Sequence, residues 1–200
     1  IGPNTKFQIT LVFGGKVNID EVDSIAEEVA EQYRQNLSRY KNCKGFVYRP
    51  AFFSWAGHTY ANRIIGATPD GRKKDDPIAQ GANPMHGRNK KGITATMNSV
   101  SKLDFNRNAG GPLQLEIDPS LLKVYDPAAL IEGLVVPYFK MGGVHVFINI
   151  NSSETLEKAM KNPEQYEHLI IRVTGFSVHF VQLDRKIQEE IIKRTRYRNK

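Results

Sequence analysis

The apolar positions of this chain change their spacing from segment to segment, and each spacing predicts an element. From Asp20, the residues Val22, Ile25, Ala26, Val29, Ala30, Tyr33, Leu37 and Tyr40 recur at three- and four-residue steps, the period of an amphipathic helix. Asp20 is its expected N-cap, and the helix is expected to fray near 40–46, where Gly45 follows a basic last turn. Ahead of it, residues 5–13 read as a short strand or an extended lead-in. Residues 113–122, "LQLEIDPSLL", give a strand and then a turn. "DPAALIEGLVVPYFKMGG" reads as a helix capped by Asp126, with Pro127 in its first turn, Gly142 past its end and Pro137 expected to kink it. "VHVFINI", 144–150, is a continuous run of the kind found in strands buried on both faces, and "LIIRV", 169–173, reads the same way. "SSETLEKAMKNPEQY" is a helix opened by Ser152 or Ser153 and closed by Pro163. A last helix begins near Asp184. Helix and strand alternate, so the fold class is α/β.

Residues 45–112 break this regularity. They hold many glycines and prolines and few periodic runs, apart from a short helix expected near 93–103. Phe52, Phe53, Trp55, Ile64, Ile65 and Met85 argue against disorder, so the segment reads as an ordered, loop-rich region wrapped on a larger body.

Composition narrows the function classes. Hydrophobic content of 40% and charged content of 24% are those of a soluble globular chain, and no apolar run reaches membrane-spanning length. No signal peptide is evident, and the opening "IGPNTKF" fits an excised piece or a processed chain. The net charge of +7 is spread over "GRKK", "GRNKK" and "KRTRYRNK" without interleaved aromatics, which reads as a solvated surface and not as a nucleic-acid platform. Cys43 stands alone, which excludes an internal disulfide or a cysteine-cluster metal site and accords with a reducing cytoplasm. His58, His86, His145, His168 and His179 share no metal-ligand spacing, so no metal is expected. His145 lies between valines and reads as a core histidine. No phosphate-binding loop and no nucleophile elbow is present, and "TPDGR" is a good turn sequence. Conventional acid–base or metal chemistry is therefore poorly supported.

One position resists this reading. Gly175 interrupts the strand-like run "IIRVTGFSVHFVQL", where glycine gives up entropy and packs nothing. "RVTGFSVHF" closely resembles the RV-[S/T/A]-G-[Y/F] motif of glycyl radical enzymes, the pyruvate formate-lyase family. "FFSWAGH" at 52–58, "GATPDGR" at 66–72, "NPMHGR" at 83–88, "TATMNSVSKLD" at 94–104 and "GGVHVFINI" at 142–150 resemble further blocks of that family, in its usual order. "FGG…DEVD" at 13–23 resembles a shorter FGN-acidic-DxVD block with a few residues altered, so the likeness runs from about residue 13 to the end.

The resemblance implies a role for the bare backbone position. In this family an activating enzyme takes a hydrogen atom from the glycine α-carbon, leaving a backbone radical. The centre flattens and its electron spreads over the adjacent amides, which a Cβ would oppose. Val173, Phe176 and Val178 are expected to keep solvent away. A family cysteine on another loop then yields a thiyl radical that attacks a small-molecule substrate. "KNCKGF" does not resemble that loop, so the role is not carried to Cys43, and the chain looks like the C-terminal part of a larger enzyme.

The implied fold is the C-terminal part of a ten-stranded α/β barrel with a loop-rich region and peripheral helices. Residues 1–112 would belong to the barrel body and 113–200 to a glycyl radical domain, joined as one continuous unit. The implied cofactor is the Gly175 radical itself, with nothing bound in this chain. It would be installed with S-adenosylmethionine and an iron–sulfur cluster held by a partner activase. Arg172, Thr174 and Phe176 are expected to serve activase recognition or support of the loop; for Arg172 a structural salt bridge is the alternative. Gln114, Glu116, His145 and Asn149 are candidates for lining a pocket, although a plain strand with alternating faces explains Gln114 and Glu116 as well. Other implied partners are the remainder of the enzyme carrying the cysteine loop and a second copy in a homodimer, in the cytoplasm. Neither nucleic acid nor membrane is expected as a partner. Dehydration or decarboxylation is favoured over pyruvate cleavage. The alternatives are a small glycyl radical repair subunit and an unrelated basic binding module.

Overall fold

The computed structural model describes residues 20–54, 57, 61, 64–69, 71–85, 88, 89, 91–173 and 175–195. The expected strand at 5–13, Trp55, His58, Asp70, His86, Thr174 and the basic tail from Arg196 lie outside these residues.

Helix α1 spans Asp20–Ser38. Its buried face is narrower and more polar than the apolar stripe predicts: Asp23, Ala26, Ala30 and Arg34 are buried, whereas Ile25, Val29 and Tyr40 are exposed. Ala26 and Ala30 of α1 share one core cluster with Met97 and Val100 of α2 (Ile93–Ser101), and polar anchors fix α1 there. Asp23 accepts from Ser99 Oγ at 3.1 Å and pairs with Lys102 Nζ at 2.8 Å. Arg34 donates to the Leu103 carbonyl at 2.9 Å and to Asn108 Oδ1 at 3.4 Å.

Strand β1 (Leu113–Ile117) leads through α3 (Pro127–Lys140) into β2 (Val146–Ile150). The strands pair in parallel, from Leu113↔Val146 to Ile117↔Ile150, as the helical crossover requires. Asp126 caps α3 by accepting from Ala129 N at 2.9 Å, and the helix runs through Pro137 to Lys140. Then follow α4 (Ser153–Lys161), capped by Ser152, β3 (Ile170–Arg172), β4 (Ser177–His179) and α5 (Arg185–Thr195). β3 and β4 form an antiparallel hairpin, a sheet separate from β1–β2.

Two hydrophobic cores result. One gathers Ala26, Ala30, Phe52, Met97, Val100, Leu103, Phe105, Leu113, Leu115 and Tyr138 around β1. The other packs Leu156 and Ala159 of α4 and Ile191 and Ile192 of α5 against Ile171, Val173 and Phe180. β1 is buried on both faces, but β2 and β3 are not. Phe147 and Asn149 point inward while Ile150 and Ile170 are exposed, since no described element covers the outer side of those strands.

The loop-rich region is ordered by backbone capture. Arg72, expected on a solvated basic surface, is buried. Its guanidinium donates to the carbonyls of Ile65, Gly66, Lys73 and Asp76, tying the backbone on either side of it together. Asn83 pairs with the free edge of β1: its Nδ2 donates to Gln114 O at 2.7 Å and its Oδ1 accepts from Gln114 N at 2.8 Å.

Candidate glycyl radical site

Gly175 lies in the turn of the β3–β4 hairpin. Arg172 faces Ser177, and one step further out Val173 N donates to Phe176 O at 2.9 Å, which places Gly175 in the turn. The tightness of this turn requires a backbone that L side chains rarely adopt: Gly175 has φ of +89°. Space is not the constraint, because a Cβ placed on Gly175 would meet only Phe147 Cζ, at 3.7 Å.

The expected apolar shield is only half present. Val173 is buried and Val178 half-buried, but Gly175 is exposed and Phe176 is 42% exposed. A turn between three-residue strands places its tip beyond the second core, and the described residues do not enclose it.

Phe147 of β2, which the run "VHVFINI" offered only as a buried strand residue, is the aromatic neighbour of the glycine. The Arg172 guanidinium carbon lies 5.2 Å from its ring centroid, and the His145 ring meets it edge-on with centroids 4.3 Å apart. His145 is thus not a core histidine. β2 begins only at Val146, so Val144 and His145 lie exposed in the approach to the strand. The cation–π contact with Phe147 keeps the arginine head beside the turn, where Nη1 also reaches Ser177 Oγ at 3.3 Å. The described structure gives Arg172 this cation–π contact and hydrogen bond in place of the alternative salt bridge.

Three expected pocket residues meet in one cluster. In an antiparallel pair, alternate residues turn their N–H and C=O toward the partner strand. Val173 faces Phe176 in this way, so Arg172 turns its backbone groups outward, toward β2. Asn149 receives them: its Oδ1 accepts from Arg172 N at 2.8 Å and its Nδ2 donates to Arg172 O at 2.7 Å. Gln114 Nε2 donates to the same carbonyl at 3.2 Å. The buried Glu116 carboxylate orients both amides, with Oε1 accepting from Gln114 at 3.0 Å and from Asn149 at 3.2 Å. Gln114 and Glu116 share the polar face of β1 that alternation predicts, but this face is buried under the hairpin. Gln114 Oε1 is buried without a hydrogen-bond partner. A cavity of about 410 Å³ lies between β2 and β3, lined by Asn149, Asn151, Ile170, Arg172 and Ser177 among others.

The lone thiol is placed elsewhere in the sequence. Cys43 is exposed at the tip of the turn after α1, where Asn42 Oδ1 accepts from the backbone N–H groups of Lys44 and Phe46. Among the described residues, no three His, Cys, Asp or Glu side chains are grouped as metal ligands, and no helix is long and apolar enough to cross a membrane.

Known proteins are similar to this chain. The glycine radical family matches residues 78–181, a span that contains β1, β2 and the whole Gly175 hairpin. The chain is 35% identical over 186 residues to the PFL-like enzyme TdcE of Escherichia coli, covering 89% of this chain and 24% of that protein. It is 34% identical to trans-4-hydroxy-L-proline dehydratase of Clostridioides difficile, covering 88% and 22%. Among solved structures, the glycerol-bound B12-independent glycerol dehydratase of Clostridium butyricum superposes with a TM-score of 0.83 at 39% identity, covering 90% of this chain and 23% of that one. The chain therefore spans about a quarter of the length of these relatives. With the family's span enclosing the Gly175 turn and more than a third of positions shared with a glycyl radical dehydratase, the chain belongs to the glycine radical family of pyruvate formate-lyase-like enzymes.

Proposed function

We propose that this chain is the C-terminal, radical-storing part of a glycyl radical lyase, and that Gly175 carries the unpaired electron. The observation that carries this reading is a glycine at φ +89° in a hairpin turn, inside the span shared with the family. A partner activase would supply one electron from its iron–sulfur cluster to cleave S-adenosylmethionine into methionine and an adenosyl radical, which would take the hydrogen atom from Gly175 Cα and leave the unpaired electron there. The radical then takes a hydrogen atom from a cysteine of another segment, and the resulting thiyl radical opens the substrate. Arg172 and Phe176, both at the rim of the turn, are the proposed contacts for the activase, with Thr174 as further support of the loop.

Several finer points join this reading. β1–α3–β2 supplies two parallel strands of a ten-stranded α/β barrel, supported by the superposition on glycyl radical dehydratases over nine-tenths of the chain. Residues 1–112 belong to the barrel body and 113–200 to the radical domain. The enzyme is a cytoplasmic homodimer. Its reaction is a dehydration of a small hydroxylated molecule, favoured because relatives at 33–39% identity act on hydroxyproline and glycerol. The test is anaerobic activation of the full-length enzyme followed by electron paramagnetic resonance. A glycyl doublet is expected, and subsequent air exposure should cut the chain at Gly175. Cleavage at another glycine would overturn the assignment.

A further inference from the structure

We infer that Asn149, Gln114 and Glu116 are positioning residues that hold the glycine turn in place, and not pocket residues that meet the substrate. The two sheets share no ladder, and β3 is three residues long. A strand that short is marginal alone. The outward N–H and C=O of Arg172, three residues before Gly175, are taken by the Asn149 carboxamide, which stands in for a neighbouring strand. Gln114 adds a second donor to the carbonyl, and Glu116 fixes both amides from behind. All three side chains are at least nine-tenths buried, and their donors are spent on protein atoms. A displaced turn would move the radical away from its hydrogen donor, and hydrogen transfer tolerates little misplacement.

The geometry is independent of the glycyl reading; the consequence for turnover rests on it. The test compares Asn149→Asp and Asn149→Ala in the full-length enzyme. Aspartate keeps the acceptor for Arg172 N but loses the donors to Arg172 O and Glu116 Oε1, and it sets a carboxylate against that of Glu116, a repulsion that its protonation also removes. Amide exchange in residues 170–179 should rise about tenfold in both variants, while exchange in β1 stays at the wild-type level. Lowering the pH should restore protection in Asn149→Asp, relative to wild type at the same pH, because the protonated acid regains a donor. Asn149→Ala should stay loose at every pH. Turnover of the activated enzyme should fall by about tenfold in Asn149→Asp and recover along the same pH profile. Should the alanine variant fail to fold, Gln114→Ala, which removes one of the two donors to the carbonyl, should show a smaller rise in the same segment. Unchanged exchange at 170–179, an equal rise in β1, or a flat pH ratio in Asn149→Asp would each overturn the inference. Absence of a doublet from Gly175 in the activated wild type would instead defeat the radical reading, while the exchange data would still judge the clamp.

Discussion

Asparagine does the same thing twice in this chain, with different consequences. Asn83 and Asn149 each pair a carboxamide with the N–H and C=O of one backbone residue, Gln114 and Arg172 respectively. Asn83 closes the edge of β1, a strand buried on both faces at the centre of the first core. Asn149 closes the edge of β3, whose outer residue Ile170 is exposed and whose turn protrudes. The difference lies in what water can do after the bond is broken. At β1 the orphaned groups belong to a strand packed on both faces, which cannot open by itself, so the cost falls on the whole fold. At β3 they can be rehydrated by local opening, so the cost falls on the position of a few residues.

The largest effect should come from the turn itself. Gly175→Ala should abolish the glycyl doublet, since the methyl group hinders hydrogen abstraction and flattening. The positive φ adds a folding cost of about 1–2 kcal/mol, which the open space around the position does not relieve. Resonance spectra and thermal unfolding of the variant separate these two losses, and a persisting doublet would contradict the assignment.

Breaking the two clamps sharpens the contrast. Asn83→Ala should lower global stability by about 2–3 kcal/mol, because it strands a buried donor and a buried acceptor. Asn149→Ala removes as many backbone partners but should shift the denaturant midpoint by about 1 kcal/mol or less. Equal shifts would show that the hairpin is as integral to the fold as β1.

Tyr138 gives a smaller effect of opposite sign. Its ring is fully buried and its hydroxyl has no hydrogen-bond partner, and burial pushes the phenol up, well above the usual range. Tyr138→Phe should be neutral or stabilising by up to about 1 kcal/mol, read from the midpoint of unfolding.

The smallest effect belongs to Glu31 on the outer face of α1. Hydrogen bonds from Gln35, then from Arg107 and Arg34, hold its carboxyl down at about 2, against an ordinary 4.5. A lowered folded pKa means that the stabilisation is complete above the ordinary value and is lost as the pH falls from there through about 2. Glu31→Gln should flatten the acid side of the stability profile slightly, and salt should shrink the difference.

Much of the fold was legible along the chain. The helices at 20–38, 127–140, 153–161 and 185–195 follow from three- and four-residue apolar spacing and from the caps Asp126 and Ser152. Gly175 was legible too, because a glycine inside a β-branched run conflicts with local propensity and calls for another explanation. Burial was less legible. "VHVFINI" predicts a strand covered on both faces, but covering depends on layers supplied from elsewhere in sequence, and this chain leaves Val144 and Ile150 exposed.

By itself the sequence determined the order of helices and strands, the candidate radical position and the family resemblance, since each rests on short-range spacing or a contiguous motif. Only the tertiary structure decided that Asn83 and Asn149 act on distant backbone, and that Arg72 turns back on the carbonyls of its own loop. It also showed Phe147 standing beside the glycine, and the Gly175 turn facing outward. A carboxamide carries no signal of which N–H and C=O it will meet. That partnership exists only once parallel strands, a crossover helix and a hairpin have brought residues 23–58 positions apart within hydrogen-bond reach.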